Sequence, residues 1–168
     1  VITSVLPPEY SGTLIHSSMP QPDFVATIHD FFLERQLEPS VHPSATISED
    51  AEFGDNCVID AGVTIESDVT IGNKCVLGPG VTIGENVTIG DRCIFGTGTS
   101  IGQPGFGYQL TGDDRVMNKL HQGSVVIEDD VHFGVNCSVD RGTFHETRIG
   151  VGSKIHNLCI FAHNGDIG

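Results

Sequence analysis

Histidine is the residue of this sequence best suited to proton transfer, and five histidines fall in its C-terminal part. An imidazole gains and loses a proton near neutral pH, so a histidine at a turn could act as the general base of an acyl transfer. Histidines can also bind metal ions, but these five follow no regular spacing and no Cys/His pattern fits a zinc site. The pattern favours acid–base chemistry over a metal site. The five are His121, His132, His145, His156 and His163.

Two aromatic residues stand between glycines in the segment Gln103-Pro104-Gly105-Phe106-Gly107-Tyr108. Such aromatics can form the wall or lid of a pocket for a sugar or an acyl chain, and they can equally pack on the protein's own scaffold. No Lys-Ser/Thr pair and no helix follow the glycines, which argues against a phosphate-binding loop. Phe106 and Tyr108 are therefore candidate substrate-binding residues.

A six-residue repeat must position these side chains. A large apolar residue recurs at every sixth position, and a smaller residue lies two positions before most of them. Neither a helix nor an alternating strand has this period. A coil has it when each hexad forms one short strand and a turn, and three hexads complete a circuit. The repeat predicts a mainly β protein, a parallel β-helix of the hexapeptide type. The large positions are Val41, Ile47, Phe53, Ile59, Ile65, Ile71, Leu77, Ile83, Ile89, Phe95 and Ile101.

The repeat is interrupted twice. The step from Ile101 to Ile127 is one hexad plus 20 residues, and the step from Val139 to Ile149 is one hexad plus four. If each insertion enlarges one corner of the coil, Ile101, Val139 and Phe161 lie on the same face, one coil apart.

Three irregular segments would then stack along one edge of the coil, namely residues 103–124, 141–145 and 162–164. Loops on a rigid scaffold are the usual place for binding and catalysis. His163 lies in the last of these segments, two residues past an inward position and therefore at a turn. From its position alone, His163 could be a general base or a solvent-exposed turn histidine.

Composition limits the partners of this chain. The formal net charge of −14 argues against nucleic acid or an anionic membrane surface. The content of 38% hydrophobic and 18% charged residues suits a folded chain. The longest apolar runs are too short to span a bilayer, and the N-terminus has no signal pattern.

The five cysteines include no CxxC pair, so we expect buried free thiols in the reducing cytoplasm, with Cys57, Cys75 and Cys93 in one inner column.

Residues 1–40 do not follow the repeat. Their pattern predicts a short strand at Gly12–His16 and a helix from Pro22 to about Arg35. One strand and one helix bury too little apolar surface to form a stable domain. We therefore expect residues 1–40 to be the C-terminal remnant of a larger N-terminal α/β domain. We expect residues 41–168 to be a β-helix domain that is truncated at its C-terminal end.

Four segments together resemble a known family. They are Ile101–Tyr108, His121 with Gly123, Val139-Asp140-Arg141-Gly142 and Ala162-His163-Asn164. The same segments occur in the same order and spacing in the UDP-3-O-acylglucosamine N-acyltransferases of lipid A biosynthesis and their close relatives. The resemblance runs from about Pro22 to Gly168. The Asp-Arg-Gly bulge followed by Ala-His-Asn is much more specific than the hexads, which indicate only the broad hexapeptide acyltransferase superfamily.

The resemblance implies a left-handed coil, a homotrimer with active sites between subunits, and an N-terminal domain that helps bind the uridine nucleotide. It implies transfer of an acyl chain from acyl carrier protein to the amine of a UDP-linked 3-O-acylglucosamine, with no further cofactor. His163 would be the catalytic base that removes a proton from the amine, and a backbone N–H of a later coil would stabilise the oxyanion. The substrate-binding residues that the resemblance implies are Phe106, Tyr108, His121, Arg141, Asn157 and Asn164.

The sequence departs from this family at two positions. His156 stands where the family usually has an aspartate that could orient the catalytic imidazole, and Pro104 stands where it has another aspartate. The acidic balance of the chain is also poorly suited to docking acyl carrier protein, which is itself acidic. Two alternatives therefore stay open: an acetyl-CoA-dependent acetyltransferase acting on a surface-polysaccharide sugar, and a non-enzymatic trimeric scaffold.

Overall fold

The computed structural model describes residues 2–5, 15–28 and 38–168 of the chain. The chain divides into two compact units, Val1–Glu38 and Pro39–Gly168. Within the described ranges, no helix is long and apolar enough to cross a membrane.

The first unit contains two short parallel strands and one helix. Strand β1 (Ile2–Thr3) pairs with strand β2 (Ile15–His16), and helix α1 spans Pro20–Ile28. Residues 12–14 of the predicted strand and residues 29–35 of the predicted helix lie outside the described residues.

Helix α1 begins at Pro20, two residues before the predicted start at Pro22. The reason is the side chain of Ser17. Its hydroxyl accepts a hydrogen bond from the Met19 N–H at 2.8 Å and donates one to the Asp23 carboxylate. These bonds satisfy groups at the helix N-terminus, so the first turn forms earlier than the proline alone indicates.

The second unit is a coil of short strands. Three six-stranded parallel sheets have the orders β3-β6-β9-β12-β17-β20, β4-β7-β10-β13-β18-β21 and β5-β8-β11-β16-β19-β22. The strands are β3 (Ser40–Val41), β4 (Thr46–Ile47), β5 (Glu52–Phe53), β6 (Val58–Ile59), β7 (Thr64–Ile65), β8 (Thr70–Ile71), β9 (Val76–Leu77), β10 (Thr82–Ile83), β11 (Val87–Ile89), β12 (Ile94–Phe95), β13 (Ser100–Gln103), β14 (Tyr108–Leu110), β15 (Val116–Asn118), β16 (Ser124–Ile127), β17 (His132–Phe133), β18 (Ser138–Asp140), β19 (Glu146–Ile149), β20 (Lys154–Ile155), β21 (Ile160–Phe161) and β22 (Asp166–Ile167). Apart from the β14–β15 pair, successive strands belong to different sheets in rotation. This is the parallel β-helix that the hexads predict.

Strand pairing shows which residues stack across the two interruptions. Ile101 pairs with Val139, and Val139 pairs with Phe161. The prediction that these three residues share one face is therefore confirmed. Both insertions enlarge corners and leave the parallel pairing intact.

Small polar side chains line the interior of the coil. Cys57, Cys75 and Cys93 each donate an S–H hydrogen bond to a carbonyl oxygen of the next coil, at 3.2, 3.1 and 3.0 Å. The Thr99 hydroxyl donates a similar bond to Gly134 at 2.9 Å. All five cysteines, which lie in the described part of the chain, are free, and all but Cys159 are buried. A side-chain hydrogen bond with Cys93, together with burial, raises the pKa of the Cys75 thiol. These donors satisfy carbonyl groups that face the coil interior.

The inserted segment 103–124 contains a hairpin that the sequence did not predict. Strands β14 and β15 are antiparallel, and the Thr111 N–H donates to the Arg115 carbonyl at 2.8 Å in the turn. The segment leaves the coil at a β-bulge in β13, where the register with β18 shifts between Ile101 and Gln103. The hairpin and the residues beside it expose the apolar side chains of Phe106, Tyr108, Leu110, Val116, Met117 and Leu120.

Candidate active site

The candidate site lies at the corner that follows strands β13, β18 and β21. Because these strands are neighbours in one sheet, the segments after them stack on one another. The predicted edge formed by residues 103–124, 141–145 and 162–164 is therefore present.

His163 is held by the next residue. Its Nδ1 atom lies 2.9 Å from Oδ1 of Asn164, and the same Oδ1 accepts hydrogen bonds from the Thr143 N–H and hydroxyl, each at 3.1 Å. An atom that accepts from a backbone N–H must be the amide oxygen, so it cannot donate to His163. The neutral His163 ring therefore carries its proton on Nδ1. This leaves the lone pair of Nε2 free to accept a proton.

The backbone of Asn164 is shaped for this role. Its φ of 63° lies in the left-handed region, which asparagine tolerates better than most residues. Its N–H donates to the hydroxyl of Thr147 at 2.9 Å, and the side chain of Thr147 is buried. The turn that presents His163 is thus anchored to the preceding coil through both the backbone and the side chain of Asn164.

His121 lies directly against His163. The two ring centroids are 4.5 Å apart and the ring planes are inclined by 49°. His121 is only 6% exposed, and neither of its ring nitrogens has a hydrogen-bond partner. A buried polar side chain without a partner costs stability, so it indicates a role other than packing.

Gly105 allows the aromatic loop to lie on these two rings. A Cβ atom at this position would be 2.8 Å from Cδ2 of His163 and 3.0 Å from Nε2 of His121. Both distances are too short for a side chain at position 105 unless the rings move. Close packing against the two histidine rings therefore requires a glycine at position 105.

Asp140 is a residue of the site that the sequence analysis did not select. Burial raises the pKa of its carboxyl group, while the nearby charges of His163 and His121 act to lower it. The residue is half-buried at the end of β18. Its place inside the Asp-Arg-Gly bulge was the available signal, and the pairing of Val139 with Phe161 places Asp140 beside the segment that carries His163.

The Arg141 side chain is engaged within the scaffold. It is 8% exposed, its Nε donates to the Gly102 carbonyl at 2.6 Å, and its Nη1 lies 3.5 Å from the Glu85 carboxylate. These contacts stabilise the corner. In this chain they direct the guanidinium along the coil towards the preceding turn.

The remaining candidates are spread around the site. Phe106 and Tyr108 form an edge-to-face pair with centroids 5.2 Å apart, and both are exposed, by 85% and 56%. Asn157 lies at another corner, after β20, where its Oδ1 accepts from the Val135 N–H at 2.9 Å. A single chain therefore brings His121 and Asn164 to His163 but does not bring Asn157 there.

The site has no arrangement that would hold a metal ion. Across residues 2–5, 15–28 and 38–168, no group of three or more His, Cys, Asp or Glu side chains is placed to bind one. The groups able to act at this corner are thus imidazoles, a carboxylate and an amide.

Comparison with known proteins agrees with this fold. A family model described as bacterial transferase hexapeptide (six repeats) matches residues 50–85 and 68–103. The UDP-3-O-acylglucosamine N-acyltransferase 1 of Legionella pneumophila (strain Paris) is 42% identical over 173 residues, which cover 92% of this chain and 49% of the relative. Residues 50–103 of this chain therefore carry the hexapeptide repeats that the family model describes.

Other hexapeptide-repeat relatives match shorter stretches. The UDP-3-O-acylglucosamine N-acyltransferase of Maricaulis maris (strain MCS10) is 53% identical over 66 residues, or 39% of this chain and 19% of the relative. A crystal structure of a UDP-N-acetylglucosamine acyltransferase from Bacteroides fragilis 9343 covers 74% of this chain and 46% of its own, with a TM-score of 0.64 and 23% identity. This match shows the fold, a left-handed parallel β-helix. The chain spans about half or less of the length of the relatives it matches.

Proposed function

We propose that this chain carries the acyl-transfer site of an N-acyltransferase with His163 as the general base. The observation that carries the proposal is the contact between Nδ1 of His163 and Oδ1 of Asn164, which leaves the lone pair on Nε2. The names of the relatives support the same class of reaction. The acceptor we propose is the amine of a UDP-linked 3-O-acylglucosamine, and the donor is the thioester of acyl carrier protein.

The chemistry follows from the free Nε2. The acceptor amine attacks the carbonyl carbon of the thioester while Nε2 of His163 takes the proton that the amine loses. A carbon–nitrogen bond forms, the carbon–sulfur bond breaks, and the proton passes from Nε2 to the departing thiolate. The amide of Asn164 keeps the ring oriented throughout, because its oxygen stays bonded to Nδ1.

The proposal includes a homotrimer in the cytoplasm with sites between subunits. The position of Asn157 supports shared sites, because within one chain it lies at a different corner from His163. We propose that Asn157 reaches the substrate of His163 from another subunit. The five free cysteines support a reducing compartment. Analytical ultracentrifugation of the complete protein tests the trimer.

The exposed aromatic pair is the proposed wall of the substrate-binding site. Phe106 and Tyr108 stand beside Gly105, where an added Cβ would meet both histidine rings. Aromatic faces next to a reactive nitrogen can hold a sugar ring or the first part of an acyl chain. We propose this role for the pair, with Arg141 stabilising the corner behind it.

The test is a His163→Gln variant of the complete protein, assayed with acyl carrier protein and CoA thioesters and a UDP-amino sugar. We expect turnover to fall by about 10²- to 10⁴-fold while the oligomeric state stays the same. The matched control is His132→Gln, because His132 is exposed on a different sheet. Normal turnover by His163→Gln would remove His163 from the mechanism.

The same assay separates the alternatives. Turnover with acetyl-CoA alone would replace acyl carrier protein as the donor. If the complete protein binds no UDP-sugar and no thioester reacts, the chain is a scaffold and the proposed function fails.

A further inference from the structure

The segment 105–108, which leads into the hairpin, has two sides, and its glycines identify the side that faces the histidines. A Cβ added at Gly105 would lie 2.8 Å from Cδ2 of His163 and 3.0 Å from Nε2 of His121. A Cβ added at Gly107 would lie 3.5 Å from Cε1 of His121. Positions 105 and 107 therefore point towards the two histidine rings of their own chain.

The aromatic side chains lie on the opposite side of this segment. The Lys119 N–H donates to the Gly107 carbonyl at 2.8 Å, which continues the antiparallel pairing of the hairpin, and successive side chains of a paired strand point to opposite faces. Phe106 and Tyr108 alternate with the two glycines, and their rings contact each other with centroids 5.2 Å apart. The aromatic pair therefore points away from His163 of its own chain, and both rings are exposed.

This outer face continues along the hairpin. Tyr108 pairs with Asn118, and Leu110 pairs with Val116, so these four side chains share the face that carries the aromatic pair. All four are exposed and none is charged. The chain has a formal net charge of −14, so two copies repel each other except where uncharged surfaces meet. An exposed apolar face of this kind marks an interaction site, and its lack of charge suits contact with a second copy of the chain.

We propose that Phe106 and Tyr108 form the wall of the acyl-transfer site of a neighbouring subunit, opposite His163 of that subunit. This inference rests on the proposed function, because it assigns the proposed wall to a particular base. In a cyclic oligomer each copy presents one face to its neighbour and receives another, so every base gains a wall in this way. The inner side of segment 105–108 packs against its own base, and its outer side serves the next one.

The test combines two defective variants in one oligomer. His163→Gln lacks the base, and the double variant Phe106→Ser, Tyr108→Ser lacks the wall. Both aromatic side chains are exposed, so their loss leaves the core of the chain intact. Each variant alone should transfer acyl groups about tenfold more slowly than wild type, or slower still. When the two complete chains are co-expressed in equal amounts, we expect acyl transfer to recover to about a quarter of the wild-type rate, because half of the sites keep the base and half of those meet an intact wall.

The control pair is His163→Gln co-expressed with Asn164→Gly. Oδ1 of Asn164 lies 2.9 Å from Nδ1 of His163 within one chain, so mixing cannot rebuild a site that lacks either of them. The rate of this mixture should not exceed the rate of Asn164→Gly alone. The same lack of recovery in the test pair would place the wall and the base in one chain and overturn the inference. Wild-type turnover by the double variant would also overturn it.

A second measurement needs no activity and covers the case in which the double variant loses its neighbours. Phe106 is replaced by photoreactive benzoylphenylalanine in the complete protein, and isotope-labelled and unlabelled copies are mixed before irradiation. We expect a cross-link from position 106 to segment 141–145 or 162–164 of a second copy. The control places the same photoreactive residue at Met117, which pairs with Gln109 on the other face of the hairpin, and should not give this product. Cross-links from position 106 that stay within one copy would overturn the inference.

Failure of this inference differs from failure of the proposed function. If His163→Gln alone keeps the turnover of wild type, the proposed function fails whatever the mixing experiment shows. If His163→Gln is inactive, the mixture does not recover and the cross-links stay within one copy, His163 remains the base and the wall in the neighbouring subunit is refuted.

Discussion

Replacing Asn164 by glycine gives the most direct test of how the site holds its base. The Asn164 amide oxygen accepts three hydrogen bonds, two from Thr143 and one from Nδ1 of His163. Asn164→Gly removes all three. It leaves the backbone unstrained, because glycine adopts the φ of 63° freely. The variant therefore removes the side-chain contacts without straining the backbone.

The expected size follows from the number and exposure of these bonds. Each net hydrogen bond contributes about 1 kcal/mol, and the partners at this corner are partly exposed and regain water. We expect the free energy of unfolding to fall by about 1–2 kcal/mol in urea denaturation. In Asn164→Ala the free energy of unfolding should fall by about 1 kcal/mol more, because a Cβ is strained in the left-handed region.

We expect Asn164→Gly to lower the rate of acyl transfer more than it lowers the stability of the protein. Without Oδ1 of Asn164, nothing fixes the His163 tautomer or the direction of Nε2, and misplacement of a reacting group by about 1 Å can cost about 10²-fold in rate. We expect kcat to fall by that order, measured as steady-state acyl transfer by the complete protein. The control is Asn136→Gly, which has a φ of 53° at another corner. An Asn164→Gly enzyme with the kcat of the Asn136→Gly control would refute the reasoning.

Three further changes test the scaffold and the loop. Gly105→Ala places a Cβ 2.8 Å from the ring of the base, so we expect about tenfold slower acyl transfer. The control is Gly112→Ala, whose Cβ would meet nothing within 4 Å and should leave the transfer rate unchanged. Equal rates for the two variants would contradict the steric argument. Thr99→Val removes a buried hydroxyl that donates a hydrogen bond to a carbonyl. We expect the free energy of unfolding in urea to fall by about 1–3 kcal/mol. An unchanged free energy of unfolding would contradict the stabilising role of this bond. The Arg92 side chain lowers the pKa of Asp130 below 3.8, so the pair stabilises the protein at neutral pH and this gain is lost as the pH falls through the lowered pKa. Melting curves of Arg92→Gln from pH 6 to pH 2 should therefore converge on the wild type in acid; a constant difference would contradict this origin.

The β-helix could be predicted from the sequence because every hexad of the repeat lies in the same physical environment. Each hexad meets the same neighbours in the coil before and after it, so one periodic pattern specifies strands, turns and core together. The pairing of Ile101, Val139 and Phe161 could be predicted by counting hexads across the two insertions. Counting works there because insertions enter at corners and the strands on either side keep their partners.

The contacts within the site could not be derived in this way. The approach of His121 to His163 depends on how the non-repeating segment 103–124 folds, and its hairpin has no partner pattern in the hexads. Asp140 was part of the motif, but its neighbours are set by a β-bulge that the sequence does not mark. The motif also could not show that Arg141 turns towards the Gly102 carbonyl.

The corner that carries His163 accommodates connecting segments of very different length. Neighbouring strands of this sheet are 18 residues apart between Ile83 and Ile101, 38 apart between Ile101 and Val139, and 22 apart between Val139 and Phe161, yet all of them pair in parallel. Length at this corner is therefore uncoupled from the order of the strands. The coil can therefore accept loops of different length here without changing how its strands pair. We expect acceptor and donor choice to diverge among such proteins first in this inserted segment, with the coil itself unchanged.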